Sequence, residues 1–283
     1  MKESTQTKLS KLLWGVVLAP ILILICSLGL VSACADIPSF EELEHPENKL
    51  ATQVIADGGE LLTTYHLQNR SYASYEELGP YLVDAAVATE DVRFYRHSGI
   101  DFKSLGRVAV KTLMLHNSSQ GGGSTITQQL AKQLYSPESS GLFERALQKP
   151  IEWAIAIKIE RFYTKDEIVK MYFNQFDFLN NAVGISSASW VYFGKKPKDL
   201  NVQEAATLVG MCKNPSMFNP HRHPDRCLSR RNVVLQQMRK SGYITAAEYS
   251  EYAAKPLDVP EHLFKAKAVD GSAAYFREFL RQY

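Results

Sequence analysis

An apolar stretch of this sequence runs directly into two adjacent carboxylates. Residues 85–89 are followed at once by Glu90 and Asp91, then by aromatic residues and a turn that ends at Gly99. A carboxylate at the end of an apolar helix is partly removed from water, and partial desolvation makes it a stronger base. Glu90 is therefore a candidate general base. An ordinary helix end with solvated acids is the alternative that stays open.

Three glycines at 121–123 open a second candidate site. Glycine lets the backbone approach a ligand closely, and Thr125 and Gln128 have the spacing of a capping box, which predicts a helix start. A helix N-terminus offers unpaired N–H groups to a phosphate, and Lys132 would add a full charge. No Gly-Lys-Ser/Thr follows, which excludes a nucleotide P-loop. A flexible loop before a capped helix is the alternative.

Lys149 and Glu152 stand at the head of a long apolar stretch. Glu152 has two interpretations. An acid in this position can simply complement the helix dipole. It can also be a second carboxylate that faces the first across a cleft, as glycosyl chemistry often requires.

Mainly helical elements must position these residues. A β-hairpin is predicted over 52–66, where Asp57-Gly58-Gly59 separates short apolar pairs. From residue 75 the apolar periodicity is helical. The fifth predicted helix has a capping box formed by Thr164 and Glu167. Helices are predicted at 76–89, 102–115, 125–135, 143–162, 165–173, 202–213 and 228–241.

The composition limits the class of function. The chain has 283 residues, of which 45% are hydrophobic, enough for one sizeable domain with a buried core. Its net charge of +2 argues against a nucleic-acid binder. The four cysteines form no C-x-x-C pair, which argues against a zinc ribbon. A Cys212–Cys227 disulfide stays open.

A membrane anchor is predicted near the N-terminus. Residues 12–33 carry no charged side chain and are long enough to cross a bilayer as a helix. Three lysines precede this run and acidic residues follow it, so the main domain should lie outside the inner membrane. A cleaved signal peptide and a lipoprotein site at Cys34 are alternatives that keep the domain outside the cytoplasm.

Taken in order, these stretches resemble the bacterial peptidoglycan glycosyltransferase family, the domain of class A penicillin-binding proteins and of monofunctional glycosyltransferases. The resemblance covers roughly residues 78–245 and all five of the family's motifs. It rests on Glu90 and Asp91 with Phe94, His97 and Gly99; on 122–130 with Lys132; on Lys149 and Glu152; on Lys165, Ile168, Tyr172 and Asn174; and on Arg230, Val234 and Leu235.

The sequence departs from the family pattern at three places. Gln148 stands where the third motif usually has an arginine, so one diphosphate contact would be missing or supplied from elsewhere. Phe173 replaces a leucine, and residues 177–179 replace a Tyr-Phe-Gly. None of these changes removes a proposed catalytic carboxylate.

The resemblance implies a lysozyme-like, two-lobed helical fold and an inverting transfer from a growing glycan to lipid II. It implies that Glu90 is the general base, which takes the proton of the acceptor 4-hydroxyl while undecaprenyl diphosphate leaves. Glu152 is implied as a second catalytic carboxylate and as the ligand of a divalent cation, Mg²⁺ or Mn²⁺, with no organic cofactor. The implied substrate-binding residues are Asp91, Phe94, His97, Ser124, Thr125, Gln129, Lys132, Lys149 and Arg230.

The resemblance also implies partners and a domain order. The partners are lipid II, the lipid-linked nascent glycan, the membrane and proteins of a cell-wall synthesis complex, with no nucleic acid. A missing transpeptidase domain would follow the chain; a monofunctional enzyme is the alternative. The implied parts are a cytoplasmic tail at 1–11, the transmembrane anchor at 12–34, a linker with the β-hairpin at 35–74, the glycosyltransferase domain at 75–250 and the start of a further linker at 251–283.

Two other functions stay open on the sequence alone. A lysozyme-like hydrolase or lytic transglycosylase would share one catalytic glutamate and a helical fold. It would not need Lys132, Lys149 or the glycine loop, because it binds no diphosphate. A non-catalytic scaffold of the cell-wall machinery would not need Glu90.

Overall fold

The computed structural model describes residues 52–55, 61–65, 72–115, 123–135 and 142–264. Within these ranges no helix is both long and apolar enough to cross a bilayer. The predicted tail at 1–11 and the predicted anchor at 12–34 lie outside the described residues.

Two short antiparallel strands precede the helices. They are β1, Thr52–Ile55, and β2, Leu61–Tyr65, and the register places Thr52 opposite Tyr65. They fall in the segment where the sequence predicts a hairpin, and the residues between them lie outside the described ranges. The role of this segment as a linker stays a prediction.

The remainder of the described chain is helical, which confirms the predicted mainly α class. Two short 3-10 helices occur at Phe94–Arg96 and Pro197–Asp199. The α-helices of the described ranges are α1 Tyr75–Leu78, α2 Pro80–Glu90, α3 Phe102–Leu115, α4 Ile126–Tyr135, α5 Leu142–Phe162, α6 Lys165–Gln175, α7 Ile185–Phe193, α8 Val202–Met211, α9 Pro224–Lys240 and α10 Ala246–Ala254.

The helices pack as two groups around one shared apolar core. Helix α2 lies against α8 and α9, and α10 packs on α9; in the other group, α4 lies against α5 and α6. Buried side chains from both groups, among them Leu82, Ile126, Phe173 and Leu208, belong to the same core. The end of α2 and the start of α4 carry candidate catalytic residues, so the site forms where the two groups meet.

One predicted helix is wrong in its extent, because the helix is interrupted at Gly79. The sequence predicts a single helix over 76–89, but Gly79 has a φ of +73° and Pro80 begins α2. A residue before proline is disfavoured in the helical region, and glycine takes positive φ freely. A Cβ at Gly79 would also lie 3.0 Å from the Cα of Lys198. The break gives α2 its own start, from which it runs to Glu90.

Helix α6 begins with the capping box that the sequence predicts. The Glu167 amide donates to Thr164 Oγ1 at 3.3 Å, and the Thr164 amide donates to Glu167 Oε2 at 2.7 Å. The bond from the Thr164 amide, and then the bond that the Thr164 hydroxyl donates to Glu167 Oε2 at 2.9 Å, lower the pKa of Glu167. The same arrangement begins α8 at Asn201 and α10 at Thr245. Local sequence therefore sets where these three helices start.

Two helices were not predicted. Helix α7, Ile185–Phe193, is buried on nearly every side, so its sequence lacks the polar face that marks an amphipathic helix. Helix α10, Ala246–Ala254, has no buried residue, so its apolar pattern is weak. Apolar periodicity could not predict either helix, because both depend on tertiary contacts.

Arg231 fastens the C-terminal segment to α9. Its side chain is 1% exposed, and burial lowers the pKa of Arg231 below its ordinary value. The guanidinium donates to the backbone carbonyls of Tyr252, Lys255 and Pro256 at 3.3, 2.6 and 2.9 Å, and to Asn232 Oδ1 at 2.9 Å. These carbonyls lie at the end of α10, where a helix leaves acceptors without internal partners.

Replacing Arg231 with methionine should lower the free energy of unfolding by about 2–4 kcal/mol, because several buried carbonyls lose their donors. Arg226→Met changes an exposed position on the same helix and should cost less than about 0.5 kcal/mol. Urea unfolding followed by circular dichroism measures both. Equal losses from the two variants would contradict the role assigned to Arg231.

Candidate active site

The Glu90 carboxylate is held by one donor from each helix group. Glu90 is the last residue of α2, and its side chain is 15% exposed. Gln129 on α4 donates from Nε2 to Glu90 Oε2 at 2.9 Å. Arg230 on α9 donates from Nη2 to Glu90 Oε1 at 3.4 Å. Both donors fix the position of the carboxylate, while its partial exposure leaves room for a third group to approach.

Arg230 reaches Glu90 because α8 leaves space for its side chain. The guanidinium Nε donates to the carbonyl of Gly210 at 3.4 Å, and Cζ lies 5.9 Å from the ring centre of Phe218. A Cβ at Gly210 would lie 3.1 Å from Arg230 Cγ. A side chain at position 210 would therefore displace Arg230 from the carboxylate.

Asp91 links the end of α2 to the start of α4. His97 Nε2 lies 3.0 and 2.9 Å from the two carboxylate oxygens of Asp91, and the Ile126 amide donates to Oδ2 at 3.2 Å. The Asp91 and His97 side chains are only 3% and 5% exposed. This pair suits the support of the neighbouring Glu90 more than direct contact with a substrate.

The turn at Gly99 is tied to the same helix start. The Gly99 carbonyl accepts from Thr125 Oγ1 at 2.7 Å and from Gln128 Nε2 at 3.1 Å. The Gln128 amide donates to Thr125 Oγ1 at 3.2 Å, so half of the predicted capping box forms. The prediction of the other half is wrong, because the Gln128 side chain donates to the Gly99 carbonyl and does not bond to the backbone of Thr125. Helix α4 is thereby fixed to the loop that follows Glu90.

Phe94 and the backbone of His97 are fixed by Lys165 at the start of α6. Its ammonium donates to the His97 carbonyl at 2.8 Å and to Glu160 at 2.7 Å, and lies 4.3 Å from the ring centre of Phe94. Thr127 Oγ1 also donates to Glu160, at 2.6 Å. Phe94 is fully buried, which suits packing beneath the site.

A second polar cluster lies beside the N-terminus of α4. Lys149 Nζ is 2.5 Å from Glu152 Oε2 and donates to Ser124 Oγ at 3.4 Å. Glu152 is 2% exposed, whereas Lys149 and Lys132 are exposed. The cluster presents the Lys149 ammonium to solvent, and a cation suits an anion such as phosphate. The first residues of α4 are buried, and the Ile126 and Gln128 amides already donate to Asp91 and Thr125.

The donor set at Glu152 does not fit a resident metal ion. Among the described residues, no group of three or more His, Cys, Asp or Glu side chains could hold one. The Glu152 carboxylate already pairs with the Lys149 ammonium, which would repel a divalent cation at that distance. The geometry at Glu152 is that of an ion pair.

The predicted site residues therefore fall into three sets. Glu90, Gln129 and Arg230 contact one another directly. Asp91, Phe94, His97 and Thr125 form a buried support beneath them, and Lys149 with Glu152 and Ser124 forms the polar cluster, with Lys132 exposed further along α4.

Two buried residues of the site, Tyr172 and Cys212, were not predicted from the residues alone. Tyr172 on α6 is fully buried and donates from its hydroxyl to Gln129 Oε1 at 3.3 Å. Cys212 lies beside Tyr172 at the end of α8, and burial raises the pKa of its thiol. Cys212 and Cys227 are both free, so the disulfide left open by the sequence is not formed. The apolar neighbours of Tyr172 gave it the pattern of core packing.

Comparison with known proteins identifies relatives for most of this chain. The family model described as transglycosylase matches residues 58–239. Penicillin-binding protein 1A of Aquifex aeolicus (strain VF5) is 38% identical over 90% of this chain and 34% of its own length. Penicillin-binding protein 1A of Escherichia coli (strain K12) is 37% identical over 87% of this chain and 28% of its own length. The chain thus spans about a third of the length of these relatives.

A solved structure is also similar. The crystal structure of penicillin-binding protein 1A from Haemophilus influenzae has a TM-score of 0.43 and 22% identity, over 83% of this chain and 24% of that one. A similarity this low carries no conclusion about function.

Gly99→Ala should destabilise the protein by about 1–3 kcal/mol. Gly99 has a φ of +88°, and a Cβ there would lie 2.9 Å from the backbone carbonyl of Ala156. Gly106→Ala is the matched control, because a Cβ there meets nothing within 4 Å; in helix α3 it should stabilise by about 0.5–1 kcal/mol. Thermal unfolding measures both, and equal midpoints would contradict a tightly packed turn.

Proposed function

Because this chain belongs to the transglycosylase family, we propose that it is a peptidoglycan glycosyltransferase, which polymerises lipid II into β-1,4-linked glycan strands. The observation that carries the proposal is the Glu90 carboxylate, which accepts from Gln129 and Arg230 and remains partly exposed to a third partner. A carboxylate in that state can accept a proton, and this is the role that a glycosyl acceptor hydroxyl requires.

The proposed reaction is a direct displacement. Glu90 takes the proton from the 4-hydroxyl of the acceptor N-acetylglucosamine as that oxygen forms a bond to C1 of the donor N-acetylmuramic acid. The bond from C1 to the diphosphate oxygen breaks, and its electron pair leaves with undecaprenyl diphosphate. Attack opposite the leaving group inverts the configuration at C1. The proton remains on Glu90 until solvent removes it.

The leaving group needs charge neutralisation more than it needs a proton. Lys149 is exposed near the N-terminus of α4 and Lys132 is exposed in its last turn, and preorganised cations stabilise the charge that develops on a departing diphosphate. Ser124, which accepts from Lys149, would orient that ammonium. A hydrolase that cleaves finished glycan has no comparable need for these groups.

A divalent cation enters the proposal only for the substrate-bound enzyme. Mg²⁺ is usually held by substrate phosphates with one or two carboxylates. Glu152 would be that carboxylate once the Lys149 ammonium turns to the diphosphate. The cation would supply further neutralisation of phosphate charge, and the proton transfer to Glu90 does not depend on it.

The proposed location follows from the uncharged run at 12–33. It would anchor the chain in the inner membrane by a single pass, with the glycosyltransferase domain on the outer side. Lipid II and the lipid-linked glycan would reach the site from the same membrane, and cell-wall synthesis proteins are the proposed partners.

Glu90→Gln should lower the rate of lipid II polymerisation by at least about 100-fold, because a general base contributes roughly that much or more. Glu251→Gln, at an exposed residue paired only with Lys255, should retain the wild-type rate. The detergent-solubilised chain and fluorescent lipid II provide the assay, with glycan length read on gels and folding checked by circular dichroism.

Two results would overturn the proposed function. One is cleavage of finished glycan by the wild type without polymerisation of lipid II, which would identify a hydrolase. The other is binding of lipid II without any product from the wild type, which would identify a scaffold. Equal polymerisation by the wild type and Glu90→Gln would show that Glu90 is not the base, although the chain would still be a transferase.

A further inference from the structure

The Gln129 side chain is held between two partners that fix which way its amide points. Its Nε2 donates to Glu90 Oε2 at 2.9 Å, and its Oε1 accepts from the Tyr172 hydroxyl at 3.3 Å. An amide has a donor end and an acceptor end that are nearly equal in size, so hydrogen bonds alone decide between its two orientations. Tyr172 does not touch Glu90 through any hydrogen bond; it contacts the amide that does.

We propose that Tyr172 is a positioning residue for the reaction: its hydroxyl holds Oε1 of Gln129 so that Nε2 faces Glu90 and keeps that carboxylate aimed. The inference rests on the function proposed above. It also changes the role expected for Gln129, which serves Glu90 and is not left free to bind substrate.

The orientation matters because an ionised carboxylate only accepts hydrogen bonds. If the Gln129 amide turned over, its oxygen would face the Glu90 oxygens, and two acceptors would then repel each other. The Tyr172 hydroxyl favours the productive orientation, since the turned amide would place its NH₂ group against the tyrosine and lose the bond to Glu90. Removing the hydroxyl takes away the donor that holds Oε1, so Glu90 alone then orients the amide and the side chain is held less firmly.

Tyr172 is suited to this task because it stays protonated and immobile. Burial first, and then the neighbouring Cys212 thiol and Glu90, raise the pKa of Tyr172 well above its ordinary value. Its ring is fully buried and packs edge-on against Phe173, with ring centres 5.4 Å apart, and 6.4 Å from the ring of Phe176. The hydroxyl thus remains a donor across any practical assay range.

Three groups besides Gln129 lie around Glu90. Arg230 faces it from α9, Tyr172 from α6 and Cys212 from the end of α8. Burial raises the pKa of the Cys212 thiol, so this group stays neutral. Arg230 donates to the Glu90 carboxylate directly, so loss of the Tyr172 hydroxyl should weaken the positioning of Glu90 without abolishing it.

Tyr172→Phe is the direct test. Turnover with lipid II should fall about tenfold, because Gln129 then holds the Glu90 carboxylate less firmly. The KM for lipid II should not change, because Tyr172 is buried away from any substrate. Tyr192→Phe is the matched control: Tyr192 is equally buried, and its hydroxyl donates to the Phe178 carbonyl at 2.8 Å.

The control separates stability from positioning. Tyr192→Phe should lose at least as much free energy of unfolding, because the Tyr192 hydroxyl also accepts from Asn180 and Asn219, but it should leave turnover near the wild-type value. A turnover that falls equally in both variants, or in neither, would overturn the proposal.

A double-mutant cycle tests whether Tyr172 acts through Gln129. Gln129→Met keeps a similar shape without the amide. In that background Tyr172→Phe should change turnover by less than about twofold, because its hydrogen-bonded route to Glu90 through Gln129 is gone. A full tenfold loss in both backgrounds would show that Tyr172 acts in another way, and the proposal would be wrong.

A readout that needs no substrate separates this inference from the proposed function. In the ¹⁵N-labelled wild type, the Gln129 side-chain NH₂ protons should exchange slowly with solvent because the amide is held at both ends, and Tyr172→Phe should reduce this protection from exchange. If the protection behaves as expected while the wild type makes no glycan, the proposed function fails and the contact stands. If the protection is the same in both proteins, the positioning role is refuted whatever the activity.

Discussion

The site depends on one requirement, that the Glu90 carboxylate be ionised although most of it is removed from water. A buried charge is costly unless hydrogen bonds and an opposite charge compensate for it. Gln129 supplies the hydrogen bond from the group of α4, α5 and α6, and Arg230 supplies the charge from the group of α2, α8 and α9. Because the two donors come from different groups, the carboxylate is fully supported only when these groups are packed together. The shared apolar core therefore serves the chemistry as well as the stability.

Asp91, which follows Glu90, fixes the geometry of the contact between Glu90 and Gln129. Asp91 accepts from His97 and from the Ile126 amide, so the end of α2 and the start of α4 cannot move apart without breaking a buried polar pair. Gly99 receives Thr125 and Gln128 from the same helix start. Helix α4 thus carries Gln129 at a set distance from Glu90, and its N-terminus lies beside the Lys149 and Glu152 cluster. One short helix, α4, therefore contacts the proposed base through Gln129 and lies beside the polar cluster at its N-terminus.

Local sequence patterns predicted much of the fold and the candidate base, but they did not predict which residues contact that base. The mainly α class, the capping box at Thr164 and the candidate base Glu90 follow from apolar periodicity and cap chemistry, which act over a few residues. The break at Gly79 was missed because the pattern on both sides of it is helical. The bond between Arg230 and Glu90 joins residues 140 positions apart, and Gln128 bonds to Gly99 because tertiary packing brings that carbonyl closer than its own cap. Such contacts are decided by packing, which periodicity does not describe.

In the proposed reaction Glu90 is a base and Glu152 lies outside the proton transfer, so no carboxylate acts as a nucleophile toward the sugar. The measurement that tests this most directly is the configuration at C1 of the new glycosidic bond, read by NMR from the product of one transfer by the full chain with lipid II. Direct displacement predicts inversion and a β bond throughout the product. Retention of the donor's configuration would require a covalent glycosyl-enzyme intermediate, and would contradict the role of Glu90 as a base and of the donors that hold it.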